Sequence, residues 1–166
     1  MDVTITDRPA FVLAGHGVQV PLQHRGVNPR IAEHIASIAP EEHARLKALG
    51  GADPTVEPAG ILAVTAGAEP DAPEGSPLTY LHGVALREDT AVPPDLDTLP
   101  VEAGTWAVFS SSGPFPDALQ ATWAATATDW FPSNPWRLRP GPSIVRYLEL
   151  TETRATCELW LPIEPA

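Results

Sequence analysis

The chain has 166 residues, enough for one domain with a buried core, and 43% of them are hydrophobic. Its 10 basic and 21 acidic residues give a net charge of −11, which excludes nucleic-acid binding by bulk positive charge and favours cationic small molecules. One cysteine excludes an internal disulfide, and no apolar run approaches the roughly 18 residues of a membrane helix. With no signal-like start, the sequence predicts a soluble, cytoplasmic protein.

The first half of the chain alternates between strand and helix patterns. A helix is predicted after the cap residue Asn28, because Ile31, Ile35 and Ile38 lie on one helical face. A second short helix follows at 41–49. Alternating apolar residues predict the strands of this half, at 3–7, 10–20, 61–65 and 78–86.

The second half repeats this order of elements. A helix is predicted from Asp117, with Leu119, Trp123 and Trp130 along one face. Strands are predicted at 105–110, 144–150 and 156–163. The chain is thus one domain over 1–166, with half one at about 1–88, a charged, proline-rich linker at about 89–99 and half two at about 100–166.

Matching local strings support a duplication. Arg8–Gly15 is similar to Glu102–Phe109, and Leu78–Leu86 is similar to Thr156–Ile163. These features predict an α+β fold made of a duplicated β-α-β-β unit with pseudo-twofold symmetry. Antiparallel sheets and two main helices would then surround a central ligand cleft at the junction of the halves.

The last strand carries the strongest candidate for a ligand site. Because side chains alternate along a strand, Glu158 and Trp160 share one face, whereas Cys157 and Leu159 share the apolar one. Neighbouring strands present further candidates: Tyr80, His82, Val145 and Tyr147. If these faces line one groove, a carboxylate among aromatic rings suits a lipophilic cation. From the spacing alone, the favoured interpretation is that Glu158 is a solvated residue on an outward strand face.

Other residues carry weaker signals. Trp136 lies in a loop and either covers the pocket as a lid or shields a sheet edge. The five histidines lack metal-ligand spacing, so neither a metal nor a cofactor is predicted. Cys157 on the apolar face is not expected to be a catalytic thiolate.

Several strings resemble the GyrI-like small-molecule-binding domain, which is also the effector-binding half of multidrug-responsive transcription activators. They span nearly the whole chain and read DRPAFVLAG, YLHGVAL, GTWAVFSSSGPFPDAL, DWFPSNPWRLRPGPSIVRYLEL and CELWLPIEP. The resemblance implies a duplicated β-α-β-β fold with a ligand cleft between the halves. The family-like sequence begins by about residue 3, so no DNA-reading module is expected before it.

The resemblance also implies roles for individual residues. Glu158 becomes the leading site residue, facing the cleft with Trp160 as its aromatic neighbour. Tyr147 matches the tyrosine of the family's ERY-like string, but Val145 replaces the acid of that string and makes the cleft more apolar. The remaining site residues would be Tyr80 and His82 on the wall of the first half, with either Trp106 or Phe109 facing the cleft from a further strand.

Three functions follow. The first is a stand-alone multidrug-type binding protein for aromatic or lipophilic, often cationic compounds. The second is a hydrolase of cyclopropane-bearing natural products, as the resemblance implies, with Glu158 as general base and Tyr147 or Tyr80 orienting water or substrate. The third is a gyrase-inhibitor-like interaction protein. A binding protein is favoured over an enzyme, no membrane or nucleic-acid partner is predicted, and the oligomeric state is left open.

Overall fold

The computed structural model describes residues 1–69 and 71–166, and within them the chain forms nine strands. The strands are β1 (Val3–Arg8), β2 (Phe11–Pro21), β3 (Leu62–Ala66), β4 (Pro77–Arg87), β5 (Asp97–Val101), β6 (Gly104–Pro114), β7 (Trp136–Leu138), β8 (Ser143–Leu150) and β9 (Arg154–Pro165). The helices are α1 (Pro29–Ser37), α2 (Pro40–Gly51), α3 (Asp117–Ala125), which continues as a π-helical turn (Thr126–Trp130), and the short α4 (Phe131–Ser133).

All the strands join one antiparallel sheet, in the order β1-β6-β9-β8-β3-β4-β2-β5, with β7 beside the end of β9. The predicted α+β fold is thereby confirmed. The two halves meet where β3 pairs with β8, and residues 62–65 lie opposite residues 146–143.

The edge strands connect the halves a second time. β1 precedes β2 in the chain but pairs with β6, and β5 precedes β6 but pairs with β2. Each strand of one half has a counterpart in the other: β1 and β5, β2 and β6, β3 and β8, β4 and β9. If every strand is replaced by its counterpart, the order read from one edge of the sheet equals the original order read from the other edge. This agrees with the proposed duplication, although descent from one repeated unit stays a prediction.

The linker is where the structure differs from the expectation. Residues 97–99 belong to β5, which continues through Pro100. Proline and acidic residues disguise this segment as a loop, but an edge strand tolerates proline because one side of its backbone needs no partner.

The long helices pack on one face of the sheet, called the helix face here. On half one, α2 lies close to β4, because a Cβ on Gly50 would be 2.7 Å from Val84. On half two, α3 buries Leu119 against Phe109 and Leu159. In the described part of the chain, no helix is long and apolar enough to cross a membrane.

The opposite face carries its own hydrophobic core. Phe11 of β2 lies 6.0 Å from Trp106 of β6 between ring centroids, and Trp106 lies 6.1 Å from Trp160 of β9. Both tryptophans are buried. Because β2 and β6 belong to different halves, this core joins the halves behind the sheet.

Candidate functional site

The predicted site residues divide between the two faces of the sheet. In the pair of β8 and β9, Tyr147 lies opposite Cys157, whereas Glu158 lies opposite Arg146. Tyr147 is therefore on the helix face and Glu158 on the opposite face. Alternation predicted the two faces of each strand correctly, but it could not show which faces of separate strands coincide.

Three more predicted residues share the helix face with Tyr147. His82 of β4 lies opposite Ala63 of β3, and Ala63 lies opposite Val145 of β8. Tyr80 follows the same face of β4, two residues before His82. These residues form a continuous floor across the junction of the halves.

The two aromatic residues of β6 separate in the same way. Phe109 lies opposite Leu159 and packs beneath α3, on the helix face. Trp106 is on the opposite face, where it meets Trp160. Trp136 packs against the cluster beneath α3 and pairs with Pro165, which makes it a cover for that end of the sheet.

The helix face between α1 and α3 forms a candidate ligand site, called the seam here. Ala63 packs both against the hydrophobic cluster beneath α1 and against the one beneath α3. It is small and only half-buried, so the centre of the seam is not filled by a large side chain. The residues of the seam are Ala63, Thr65, Tyr80, His82, Val145 and Tyr147.

Aromatic rings stand at both ends of the seam. Tyr147 contacts Phe115 edge to face at 6.0 Å, and Tyr80 contacts His34 of α1 in the same way at 6.0 Å. Burial raises the pKa of Tyr147 to about 12. Burial also raises the pKa of Tyr80, with a further contribution from Tyr147. Both hydroxyls are neutral near pH 7, as tyrosine hydroxyls ordinarily are, and can donate or accept hydrogen bonds.

A chain of polar groups leads from the seam towards α2. The Tyr80 hydroxyl lies 3.5 Å from Nδ1 of His82, and Nε2 of His82 lies 3.2 Å from Nδ1 of His43. Burial lowers the pKa of His82 to about 4, with neighbouring histidines adding to the effect. His82 is therefore neutral near pH 7, and the seam gains a further uncharged polar group in addition to the two tyrosine hydroxyls.

Sequence reasoning missed this histidine cluster. Its members come from β2, α1, α2 and β4, at no recognisable spacing: His16, His34, His43 and His82. The only available signal was their number in so short a chain. Within the residues that the structure describes, no three ligating side chains are arranged to hold a metal ion.

Two cavities border α1, and neither is lined by a residue of the seam. One, of about 700 Å³, lies between α1 and the end of β2, and the other, of about 360 Å³, lies between α1 and α2. His34 lines both cavities and also contacts Tyr80. The smaller cavity is polar on one side, where His16 contacts Glu42 at 2.8 Å.

Glu158 has a different environment from the seam. Its Oε1 atom accepts hydrogen bonds from Nη1 of Arg146 and Nε1 of Trp160, each at 3.3 Å. The side chain is 24% exposed and ion-paired with Arg146. Because Tyr80 and Tyr147 lie across the sheet from it, this geometry does not place them beside a base, as the hydrolase hypothesis requires.

Two hydrogen bonds tie the loop before α1 to α3. The Gly26 N–H donates to Oε1 of Gln120 at 3.1 Å, and Nε2 of Gln120 donates to the Gly26 carbonyl at 3.0 Å. This pair of bonds is called the clasp here. It links the two helical layers that flank the seam.

Comparison with known proteins relates this arrangement to a family. The family described as GyrI-like small molecule binding domain matches residues 1–164. No curated protein matches the chain.

Solved structures share the fold at low identity. SAV2435 bound to tetraphenylphosphonium is 19% identical with a TM-score of 0.71, over 99% of this chain and 94% of that one. A Staphylococcus aureus protein described as a putative transcription regulation protein is 18% identical with a TM-score of 0.63, over 99% of each chain. The EcmrR C-terminal domain is 13% identical with a TM-score of 0.60, over 99% and 98%.

Proposed function

The chain belongs to the family of GyrI-like small-molecule-binding domains, and from this premise we propose that it binds an aromatic, lipophilic small molecule in the seam. The observation that carries the proposal is the placement of Tyr80 and Tyr147. They come from different halves of the chain, yet they lie on one face of the sheet on either side of the small residue Ala63.

The walls of the seam suit flat apolar ligands. Ile31 and Ile35 of α1 pack towards Tyr80, and Phe115 and Trp123 pack in the cluster that contains Tyr147. A ring that enters between these layers exchanges water for aromatic and aliphatic contacts, which is worth about 25 cal/mol for each Å² of apolar surface buried. The neutral hydroxyls would then orient a polar group of the ligand.

Filling the seam tests the proposal. Ala63→Leu adds three carbon atoms at its centre and is expected to weaken binding of a fluorescent aromatic dye at least about tenfold, because it occupies the ligand volume. Ala36→Leu makes the same change on an exposed position of α1 and should leave the affinity unchanged. Dye titration gives the affinities, and circular dichroism confirms that both variants are folded. Equal affinity in wild type and Ala63→Leu would refute the seam as the binding site.

Glu158 supports a second, distinct binding proposal. Its carboxylate accepts a hydrogen bond from the buried Trp160 indole and is itself 24% exposed, so it offers a partly accessible negative charge to a lipophilic cation. Tetraphenylphosphonium, the ligand bound to SAV2435 in its solved structure, is a suitable probe. Glu158→Gln should weaken its binding about tenfold if the carboxylate pairs with the cation. An unchanged affinity in isothermal titration would remove Glu158 from the site.

A further inference from the structure

We infer that the seam selects uncharged aromatic ligands over lipophilic cations, an inference that rests on the proposed function of the seam. The net charge of −11 by itself suggests the opposite, since it attracts cations to the whole surface. Selection inside a water-excluding site depends instead on which charges the ligand meets there.

The floor of the seam offers no counter-charge. Ala63, Thr65 and Val145 carry no ionisable group. The two tyrosines are neutral at pH 7, as ordinary tyrosines are, and burial raises both pKa values further; burial lowers the pKa of His82 to about 4, so His82 is also neutral. What the floor does present is a set of neutral hydrogen-bonding groups among apolar side chains.

The carboxylates of the flanking helices are also unsuited to pairing with a ligand in the seam. Glu42 of α2 already contacts Nη2 of Arg45 at 2.6 Å and Nε2 of His16 at 2.8 Å. Arg45 in turn reaches Asp95 at 2.6 Å, so these charges form a closed network. The remaining acidic residues of the flanking helices are all exposed to solvent: Glu33, Glu41, Asp117 and Asp129.

Glu158 does not supply the missing charge. It projects from the opposite face of the sheet and is paired with Arg146. A cation in the seam would therefore lose its hydration without gaining an anionic partner, and only the ring faces of the aromatic residues would compensate it. An uncharged ligand avoids that cost and can use the tyrosine hydroxyls for hydrogen bonds.

Two nearly isosteric probes separate the alternatives. Triphenylphosphine oxide and methyltriphenylphosphonium both carry three phenyl rings on phosphorus. The fourth substituent is an oxygen in the oxide, which is uncharged, and a methyl group in the phosphonium, which carries a positive charge. At near-physiological salt, which screens the surface charge, Glu158→Gln, which lacks the second proposed cation site, should bind the oxide at least about tenfold more tightly, or about 1.4 kcal/mol. Isothermal titration measures both affinities.

Introducing a carboxylate should reverse the preference. Ala63→Glu is expected to favour the phosphonium at least about tenfold, relative to the matched variant Ala63→Gln. Because a polar side chain at this half-buried position could impair folding, Thr65→Glu and Thr65→Gln provide a second pair at the edge of the floor.

Each outcome decides a different point. If Glu158→Gln binds the phosphonium as tightly as the oxide, the selectivity is refuted while the seam remains a binding site. Failure of every folded Glu variant to gain cation affinity would also refute it, since the missing charge would then not be the cause. If wild type binds neither probe and no aromatic dye, the proposed function itself fails, and this inference fails with it.

Discussion

His82 links the chemistry of the seam to the stability of the fold. Its pKa is about 4 in the folded chain, against 6.5 for an ordinary histidine, so the unfolded chain binds a proton more readily in this interval. Protonation of His82 therefore does not reduce the free energy of unfolding above pH 6.5, and it reduces that free energy progressively as the pH falls towards 4.

This shift predicts a specific pH dependence. Between pH 7 and pH 4.5, wild type should lose about 2 kcal/mol of unfolding free energy that His82→Gln does not lose, because glutamine takes up no proton. Urea denaturation at the two pH values measures the difference. His24→Gln, at an exposed loop position, should behave as wild type does. Identical pH dependence in wild type and His82→Gln would contradict the conclusion that the buried His82 ring is neutral in the folded chain.

Prediction at the residue scale succeeded within strands and failed between them. The alternation of side chains along β9 correctly placed Glu158 and Trp160 on one face of the sheet. It placed Cys157 and Leu159 on the other face, also correctly. It could not show that Tyr147 shares the face of Cys157, because register depends on hydrogen bonding between strands and a bulge follows Tyr147 in β8. The predicted roles of the site residues therefore stay predictions, and their grouping into one cleft is replaced by two separate surfaces.

At the scale of elements, α1 is the weakly held part of the site. It has no buried residue, and its contacts with the sheet include partly buried Ile31 and Ile35 and the hydrogen bond from His34 to the His16 carbonyl. The clasp adds a direct connection from the preceding loop to α3. Since few contacts hold α1 in place, it is the element best suited to move when a ligand enters the seam.

Removing the clasp should speed ligand entry. Gln120→Ala deletes both hydrogen bonds to Gly26, so the dye should associate roughly threefold faster, with stability lowered by about 1 kcal/mol or less, since the bonds are exposed. Gln19→Ala, which removes an exposed hydrogen bond to Thr79 on the sheet, is the matched control. Stopped-flow fluorescence gives the rate constants, and an unaltered association rate in Gln120→Ala would exclude the clasp as a gate.

Strong periodicity made most elements predictable. Apolar spacing, together with the proline and glycine residues that separate the elements, predicted α1, α2, α3 and seven of the strands. These elements lie near the expected residues. The short strands β5 and β7 were missed. Proline and acidic residues disguise β5 as a loop, and the three residues of β7 are too few to establish an alternating pattern. Their existence depends on pairing with β2 and β9, which lies outside local sequence information.

At the scale of the whole molecule, the order of elements was enough to predict an α+β fold with antiparallel pairing. The exchange of edge strands was not predictable, because β1 and β5 could each have paired with the strand that follows them in the chain. The observed order places the β3–β8 junction at the middle of the sheet and the seam directly above it. A ligand in the seam would therefore contact both halves at once.

The exchanged edges make the two halves interdependent for folding. A chain divided after Thr90, in the segment between β4 and β5, would leave β1 without β6 in one fragment and β5 without β2 in the other. Each fragment alone should be unstructured by circular dichroism, whereas mixing the two should restore the sheet and dye binding. The architecture thus lends itself to fragment complementation, and folded isolated fragments would contradict this interdependence.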